Sequence, residues 1–181
     1  MTLTIFSIGH STRKIEDFLR ILKKFEIQSL ADIRTIPKSR RNPQFSDDTL
    51  SAALNENNIT YEKIKTLGGL RKPSRDSINL GWRNESFQGY ADHMQTPDFE
   101  AGLNELITLG KKKPTTMMCA EAVPWRCHRS LVGDALLVRG IEVIDIIDLT
   151  NSKRHELTKF AAVDGERITY PKTGPETMTL D

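Results

Sequence analysis

The sequence predicts an α/β fold: one domain with a mostly parallel sheet of about five strands and helices on both faces. Short β-branched runs alternate with segments of helical periodicity along the 181 residues, which is the pattern of a parallel sheet with crossover helices. The length suits a single domain. The composition, 38% hydrophobic and 28% charged, is typical of a globular protein and argues against a disordered or membrane-embedded chain.

The first three elements form a strand–helix–strand unit. Residues 3–8 are β-branched and aromatic, as in a buried strand, and residues 15–25 place apolar side chains at helical spacing. Residues 27–33 are the second strand. Ser11 or Thr12 is expected to cap the helix between them.

The middle of the chain is less regular. A helix is predicted over 46–57 and a short third strand near 59–61. Residues 71–90 show the weakest periodicity and are predicted to be an insertion loop over one face. A helical stretch follows over 90–109, interrupted near Pro97.

The last part supplies the central and final strands. We predict a strand at 115–120, a helix at 126–139 and a strand at 142–149. The domain then ends at 171, with a C-terminal hairpin or extension over 155–171 that turns at an Asp-Gly pair. Residues 172–181 are predicted to be a disordered tail.

The net charge and the cysteine content indicate which partners and which cellular compartment to expect. The formal net charge is +2, so no global field requires a nucleic-acid partner, although the basic residues cluster locally. The two cysteines are expected to be free thiols, with no signal peptide and no membrane span, which favours a cytoplasmic protein without a membrane partner. The oligomeric state stays open.

Polar side chains are predicted to follow four strands at their carboxyl ends, where ligands bind in parallel sheets. They are His10 with Ser11, Asp32 with Arg34, Cys119 with Glu121, and Asp145 with Asp148. Because these groups all fall at the same edge of the predicted sheet, we expect them to form one pocket there.

The candidate catalytic residues are Cys119, Glu121, Cys127 and His128. Cys127 is predicted in the first turn of a helix, where the helix dipole, Arg126 and Arg129 favour a thiolate or a bound phosphate. Glu121 and His128 are candidates for general acid or base. The competing interpretation is that both cysteines are buried and inert, and that Glu121 only caps the helix.

The candidate residues for binding phosphate or another ligand lie on the same edge and on the glycine turn beyond the third strand. They are His10, Ser11, Asp32, Arg34, Gly68, Gly69, Arg71, Lys72 and Arg129. Simpler roles stay open: an internal Asp32–Arg34 ion pair, a core His10 and a solvated basic surface. The aromatic residues Trp82, Phe87 and Tyr90 either stack on bases or anchor the insertion on the core.

No cofactor is predicted. A metal site built from Cys119, Cys127, His128 and His10 remains an alternative, but the Cys-x7-Cys-His spacing is not a standard one for zinc.

Four motifs together resemble one family. They are Ser7-Ile8-Gly9-His10-Ser11; Asp32-Ile33-Arg34-x-x-Pro37-x-Ser39; Tyr61 with Leu67-Gly68-Gly69; and Cys119-x-Glu121-x-x-Pro124-x-x-Cys127-His128-Arg129. With a tail from His155 to Pro171, they are similar to the domain of unknown function 488 over about residues 4–171. The resemblance implies a compact α/β domain whose characteristic positions are His10, Asp32, Arg34, Cys119, Glu121, Cys127, His128 and Arg129. It implies no reaction.

From the residues we expect an enzyme that acts on a nucleotide or a nucleic-acid base, by hydrolysis or by thiol-dependent transfer. The alternative is a non-catalytic module that binds a ligand or nucleic acid and whose Cys/Glu/His cluster is structural.

Overall fold

The predicted α/β class is confirmed, with a six-stranded, mostly parallel main sheet. The computed structural model describes residues 1–173, so the tail predicted at 172–181 lies, from residue 174 on, outside the described residues. The strands of the main sheet are β1 (Thr4–Gly9), β2 (Ser29–Asp32), β3 (Thr60–Lys63), β4 (Thr115–Cys119), β5 (Glu142–Ile146) and β6 (Ser152–Arg154). Their spatial order is β3-β2-β4-β1-β5-β6, and β5–β6 is the antiparallel pair.

Among residues 1–173, five α-helices cover the two faces of this sheet. They are α1 (Ile15–Lys24), α2 (Asp47–Glu56), α3 (Glu85–His93), α4 (Pro97–Lys112) and α5 (Arg129–Leu137). Successive side chains of a strand point to opposite faces, so Met117 and Met118 of β4 belong to two separate cores. Helices α1 and α2 pack with Met118, whereas α3, α4 and α5 pack with Met117.

The register places the ends of the central strands side by side. Gly9 at the end of β1 pairs with Cys119 at the end of β4, and Asp32 of β2 pairs with Met118. The ladder continues into the loops, because the amide of His10 donates to the carbonyl of Cys119. A Cβ at Gly9 would lie 1.6 Å from the carbonyl oxygen of Glu121. Only glycine therefore lets the loop after β4 cross this point.

Two local predictions were wrong in detail, and one strand was missed. Helix α1 begins at Ile15 without a side-chain cap, because Ser11 adopts a left-handed φ of 52° and its amide donates to Ala120. Helix α3 begins at Glu85, inside the predicted insertion, because the Asn84 side chain accepts bonds from two amides of its first turn. The exposed strand β6 was missed, since three polar residues carry no alternating pattern.

The C-terminal hairpin is confirmed as β7 (Ala162–Asp164) and β8 (Arg167–Thr169), with Gly165 at a φ of 60° in the turn. Trp82, in the 71–90 segment, packs inward next to this region. Its ring lies 4.8 Å from that of Phe87 and 5.4 Å from that of Tyr170, measured between centroids. These contacts anchor the segment, whereas Tyr90 packs on His128. Within residues 1–173, none of the helices has the length and apolar character needed to span a bilayer.

Candidate functional site

A cleft of about 400 Å³ opens at the carboxyl end of β4. Its deep wall carries Cys119, Cys127 and His128, and Tyr90 borders them. Its outer part is formed by Ile36, Leu70, Phe87, Glu121 and Arg126, among others. The volume lies in the range of small-molecule sites. The cleft is therefore the natural candidate for a site.

Two thiols and one imidazole converge at the bottom of this cleft. Nδ1 of His128 lies 3.9 Å from Sγ of Cys119 and 3.7 Å from Sγ of Cys127. One ligand atom from each of the three residues lies within 4.8 Å of the others. Both cysteines are free. Cys119 is 8% exposed and Cys127 is 4% exposed. We call these three residues the sulfur–imidazole cluster.

His128 is held in one orientation. Its Nε2 lies 3.0 Å from the carbonyl oxygen of Ile33, which can only accept a hydrogen bond, so Nε2 carries the proton. In neutral His128, Nδ1 is then an acceptor that faces the two sulfurs. The ring of Tyr90 packs on the imidazole, with 4.9 Å between centroids, and the Tyr90 hydroxyl donates to the carbonyl of Leu67. A Cβ at Gly69 would lie 2.8 Å from Nδ1, so glycine leaves this side of the ring free.

Arg129 brings a buried positive charge next to the cluster. Its side chain is 1% exposed and donates to the hydroxyl of Ser7 and the carbonyl of Glu121, at 3.2 and 2.8 Å. Over residues 1–173, Arg129 has no carboxylate partner, and its Nε has no hydrogen-bond partner. A buried charge without a counter-ion is costly. The sulfurs nearby are the groups that can offset it.

The two thiols differ in acidity. The hydrogen bond from Cys119 lowers the pKa of Cys127 well below its usual value, and His128 and the charge of Arg129 act the same way against the effect of burial. The same bond, with burial, raises the pKa of Cys119 well above its usual value. Of the two thiols, Cys127 is therefore the more acidic.

The predicted place of Cys127 inside a helix was wrong. Pro124–Arg126 form a single 3-10 turn, Cys127 is extended with φ −138° and ψ 147°, and α5 begins at Arg129. Pro124 begins this turn, at a position that suits proline, and the extended backbone of Cys127 separates the turn from α5. The sulfur still meets the helix start, because the amide of Arg129 donates to Sγ of Cys127 at 3.5 Å.

Asp32, Arg34 and His10 form a buried network. Arg34 makes two bonds to the Asp32 carboxylate, at 2.9 and 2.6 Å, and its Nη1 lies 3.3 Å from Nε2 of His10. Tyr61 also donates to Asp32, at 2.6 Å. The His10 ring stacks on Phe45, which belongs to the core on the α1–α2 face. The pKa of His10 is lowered to about 4, mainly because the ring is buried and also because the charge of Arg34 is close. These contacts match the internal ion pair and the core histidine left open above.

Glu121 lines the cleft, and its side chain is exposed. The Glu121 backbone, by contrast, is fixed, since its carbonyl accepts from Arg129. The backbone of Glu121 is therefore held in place, while its carboxylate is exposed to solvent.

The glycine turn reaches the cleft only in part. Gly69 lines it, whereas Gly68 is buried and its carbonyl accepts from Nε of Arg71 at 3.1 Å. Arg71 and Lys72 border a different hollow beside α3. Close packing of Gly89 against the Arg71 backbone directs the chain there. Two cations line the cleft: Arg34, which is buried and paired with Asp32, and Arg126, which is exposed.

Asp145 and Asp148 do not join the cleft, contrary to the expectation of one shared edge. Asp145 bonds His155 at 3.1 Å, and His155 also bonds Asp134 at 2.9 Å. Asp148 caps its own turn through Thr150 and Asn151. The reason is that β5 lies one strand farther from β4 than β1 does. The Asp134–His155 pair was missed because its partners are 21 residues apart on segments without a recognisable motif.

A comparison with protein families adds one finding. The family model described as "Domain of unknown function DUF488" matches residues 14–136, which is more than half of the 181-residue chain. This range includes all residues of the sulfur–imidazole cluster. Searches among curated proteins and among solved structures returned no match.

Proposed function

We propose that this chain, which belongs to the DUF488 family, is an enzyme that acts on a nucleotide or a nucleic-acid base at the sulfur–imidazole cluster. One observation carries the proposal: two thiols and an oriented imidazole lie beside a buried Arg129 that has no carboxylate partner in residues 1–173. An inert core gains nothing from such a charge, because burying it unpaired is destabilising. Perturbed ionisable groups in a cleft are typical of reaction centres.

The shape and lining of the cleft support the substrate class. Ile36 and Leu70 are 63% and 74% exposed, and together with Phe87 they offer apolar walls to a planar base. Arg126 adds an exposed guanidinium, which suits a phosphate through paired hydrogen bonds. Such a mixture of apolar walls and few polar groups is typical of small-molecule sites.

The proposed roles follow from the geometry. The Nδ1 atom of His128 accepts a proton from the thiol pair, because its other nitrogen is bound to Ile33. Glu121 stands at the rim with a solvated carboxylate and moves a proton on the bound substrate. The proposed nucleophile or polar anchor is Cys127, the more acidic of the two thiols.

The non-catalytic module is the second candidate, and one observation favours it. His10, Asp32 and Arg34 form a saturated internal network, as in a scaffold. In that case the cleft binds its ligand and releases it unchanged.

The experiment uses nucleoside monophosphates and short single-stranded oligonucleotides as probes. Cys127→Ser and Glu121→Gln are compared with Glu62→Gln, an exposed glutamate on β3 that serves as a matched control. We expect wild type and Glu62→Gln to convert a probe, measured by chromatography, while the two cleft variants bind it and convert it at least about 100-fold more slowly. Oligonucleotide affinity should fall steeply with salt.

Two outcomes would contradict the proposal. If Cys127→Ser and Glu121→Gln convert the probe as fast as wild type, the cluster is not the reaction centre. If the wild type binds probes with no conversion, the module is the correct interpretation.

A further inference from the structure

We infer that Cys119, Cys127 and His128 form a zinc site with three protein ligands and a fourth position open to the cleft. The inference deepens the proposed function by naming the cofactor of the same centre, and it rests on that function only for the identity of the fourth ligand. With zinc bound, Nδ1 of His128 and the two sulfurs are ligands, so the proton transfer proposed for the metal-free cluster passes to Glu121.

The distances fit a tetrahedral ion. Zinc bonds of about 2.3 Å to sulfur and about 2.0–2.1 Å to nitrogen place neighbouring sulfur and nitrogen ligands roughly 3.6 Å apart in a tetrahedron. The two sulfur–nitrogen distances around Nδ1 are 3.9 and 3.7 Å, and all three ligand atoms lie within 4.8 Å of one another. Small side-chain rotations would complete the geometry. Two thiolates and an imidazole are also the donor set that zinc prefers.

Neighbouring backbone groups orient the three proposed ligands for binding a metal. His128 donates its Nε2 proton to the carbonyl of Ile33 at 3.0 Å, which is the usual outer contact of a metal-bound histidine and leaves Nδ1 for the ion. Sγ of Cys127 accepts from the amide of Arg129 at 3.5 Å, a contact that steadies a thiolate ligand. The missing side chain at Gly69 keeps the Nδ1 side of the ring free.

The other candidate ligands are placed elsewhere. The His10 ring stacks on Phe45 and bonds Arg34, so the earlier four-residue alternative reduces to three. The Glu121 carboxylate is exposed at the rim. Since all three ligands line the cleft, the fourth position faces it. Three protein ligands with one open position are typical of catalytic zinc sites, whereas structural sites are closed by four.

Charge predicts what occupies the fourth position. A zinc ion with two thiolates and a neutral imidazole has no net charge, and the buried Arg129 adds one positive charge. An anion therefore completes the centre best, either hydroxide or an anionic group of the substrate. This agrees with a nucleotide, whose phosphate supplies such a group.

The experiment uses Zn²⁺ and Co²⁺ alone as probes on the full chain, reduced and freed of metal. We expect one Zn²⁺ per chain in equilibrium dialysis with elemental analysis. Co²⁺ should give thiolate-to-metal charge-transfer absorption and the intense visible bands of a tetrahedral ion. Cys119→Ser, Cys127→Ser and His128→Gln should each weaken Zn²⁺ binding by at least about 100-fold. The matched control is Glu121→Gln, which lines the same cleft and should bind Zn²⁺ like the wild type.

A second measurement covers variants that fail to fold. Zn²⁺ should protect both thiols of the native wild type from a chromogenic thiol reagent, and a chelator should restore their reaction. Absence of stoichiometric Zn²⁺ and Co²⁺ binding by the wild type overturns the inference, as does unchanged binding by both folded cysteine variants. If zinc is absent while Cys127→Ser still abolishes conversion, the proposed function stands with a free thiolate. If zinc binds and no probe is converted, the zinc site stands and the proposed function fails.

Discussion

His155 provides a test of how the C-terminal part is held to the core. Its side chain is 8% exposed and lies between two buried carboxylates, at 2.9 Å from Asp134 and 3.1 Å from Asp145. Burial lowers the pKa of His155, but the bonds to Asp134 and Asp145 outweigh it and raise the pKa to about 9, from 6.5. The folded protein therefore binds this proton more tightly than the unfolded chain does.

The sign and size of the effect follow from this difference. A raised folded-state pKa gives a stabilisation that is complete below about pH 6.5 and is lost as the pH rises through about 9. The two pKa values correspond to about 3 kcal/mol in the free energy of unfolding. Replacing His155 by Gln should thus be most destabilising near pH 6, and its cost should fall by about 3 kcal/mol by pH 10.

The assay is urea unfolding of wild type and His155→Gln, followed by circular dichroism at several pH values with equal denaturant slopes. Titrations common to both proteins cancel in the difference. His10→Gln is the matched control: because the pKa of His10 is lowered to about 4, the cost of this variant should not fall between pH 6 and 10. A cost of His155→Gln that is independent of pH, or that grows with pH, would refute the reasoning.

Two further predictions concern the cleft and its support. Asp32→Asn leaves Arg34 buried beside a neutral group and should lower the free energy of unfolding, measured in urea, by about 3–5 kcal/mol. The control is Asp47→Asn, at the more exposed ion pair with Lys63, which should lower it much less. Equal losses in the two variants would contradict the argument. Gly69→Ala puts a Cβ 2.8 Å from Nδ1 of His128 and should weaken Co²⁺ binding by about tenfold or more without loss of fold. An unchanged cobalt spectrum would show that the ring side need not be free.

Local pattern was sufficient for most of the fold. The β-branched runs and helical periodicities predicted β1, α1, β2, α2, β4 and β5 within a few residues, because burial on one or both faces leaves a period in the sequence. The exposed β6 and the Asn84 cap of α3 have weaker signals in the sequence. Local pattern also placed His10, Asp32 and Cys119 at one edge, since the carboxyl ends of parallel strands are adjacent.

The sequence by itself determined the α/β class and the convergence of Cys119, Cys127 and His128, through the short spacing of these residues along one strand and turn. Only the tertiary structure decided the state of each group. Arg34 is neutralised by Asp32, whereas Arg129 is buried without a carboxylate among residues 1–173. The difference depends on which neighbours the fold supplies, and charge burial is a property of that three-dimensional environment. The periodicity of the sequence therefore gives no information about which buried charge is paired.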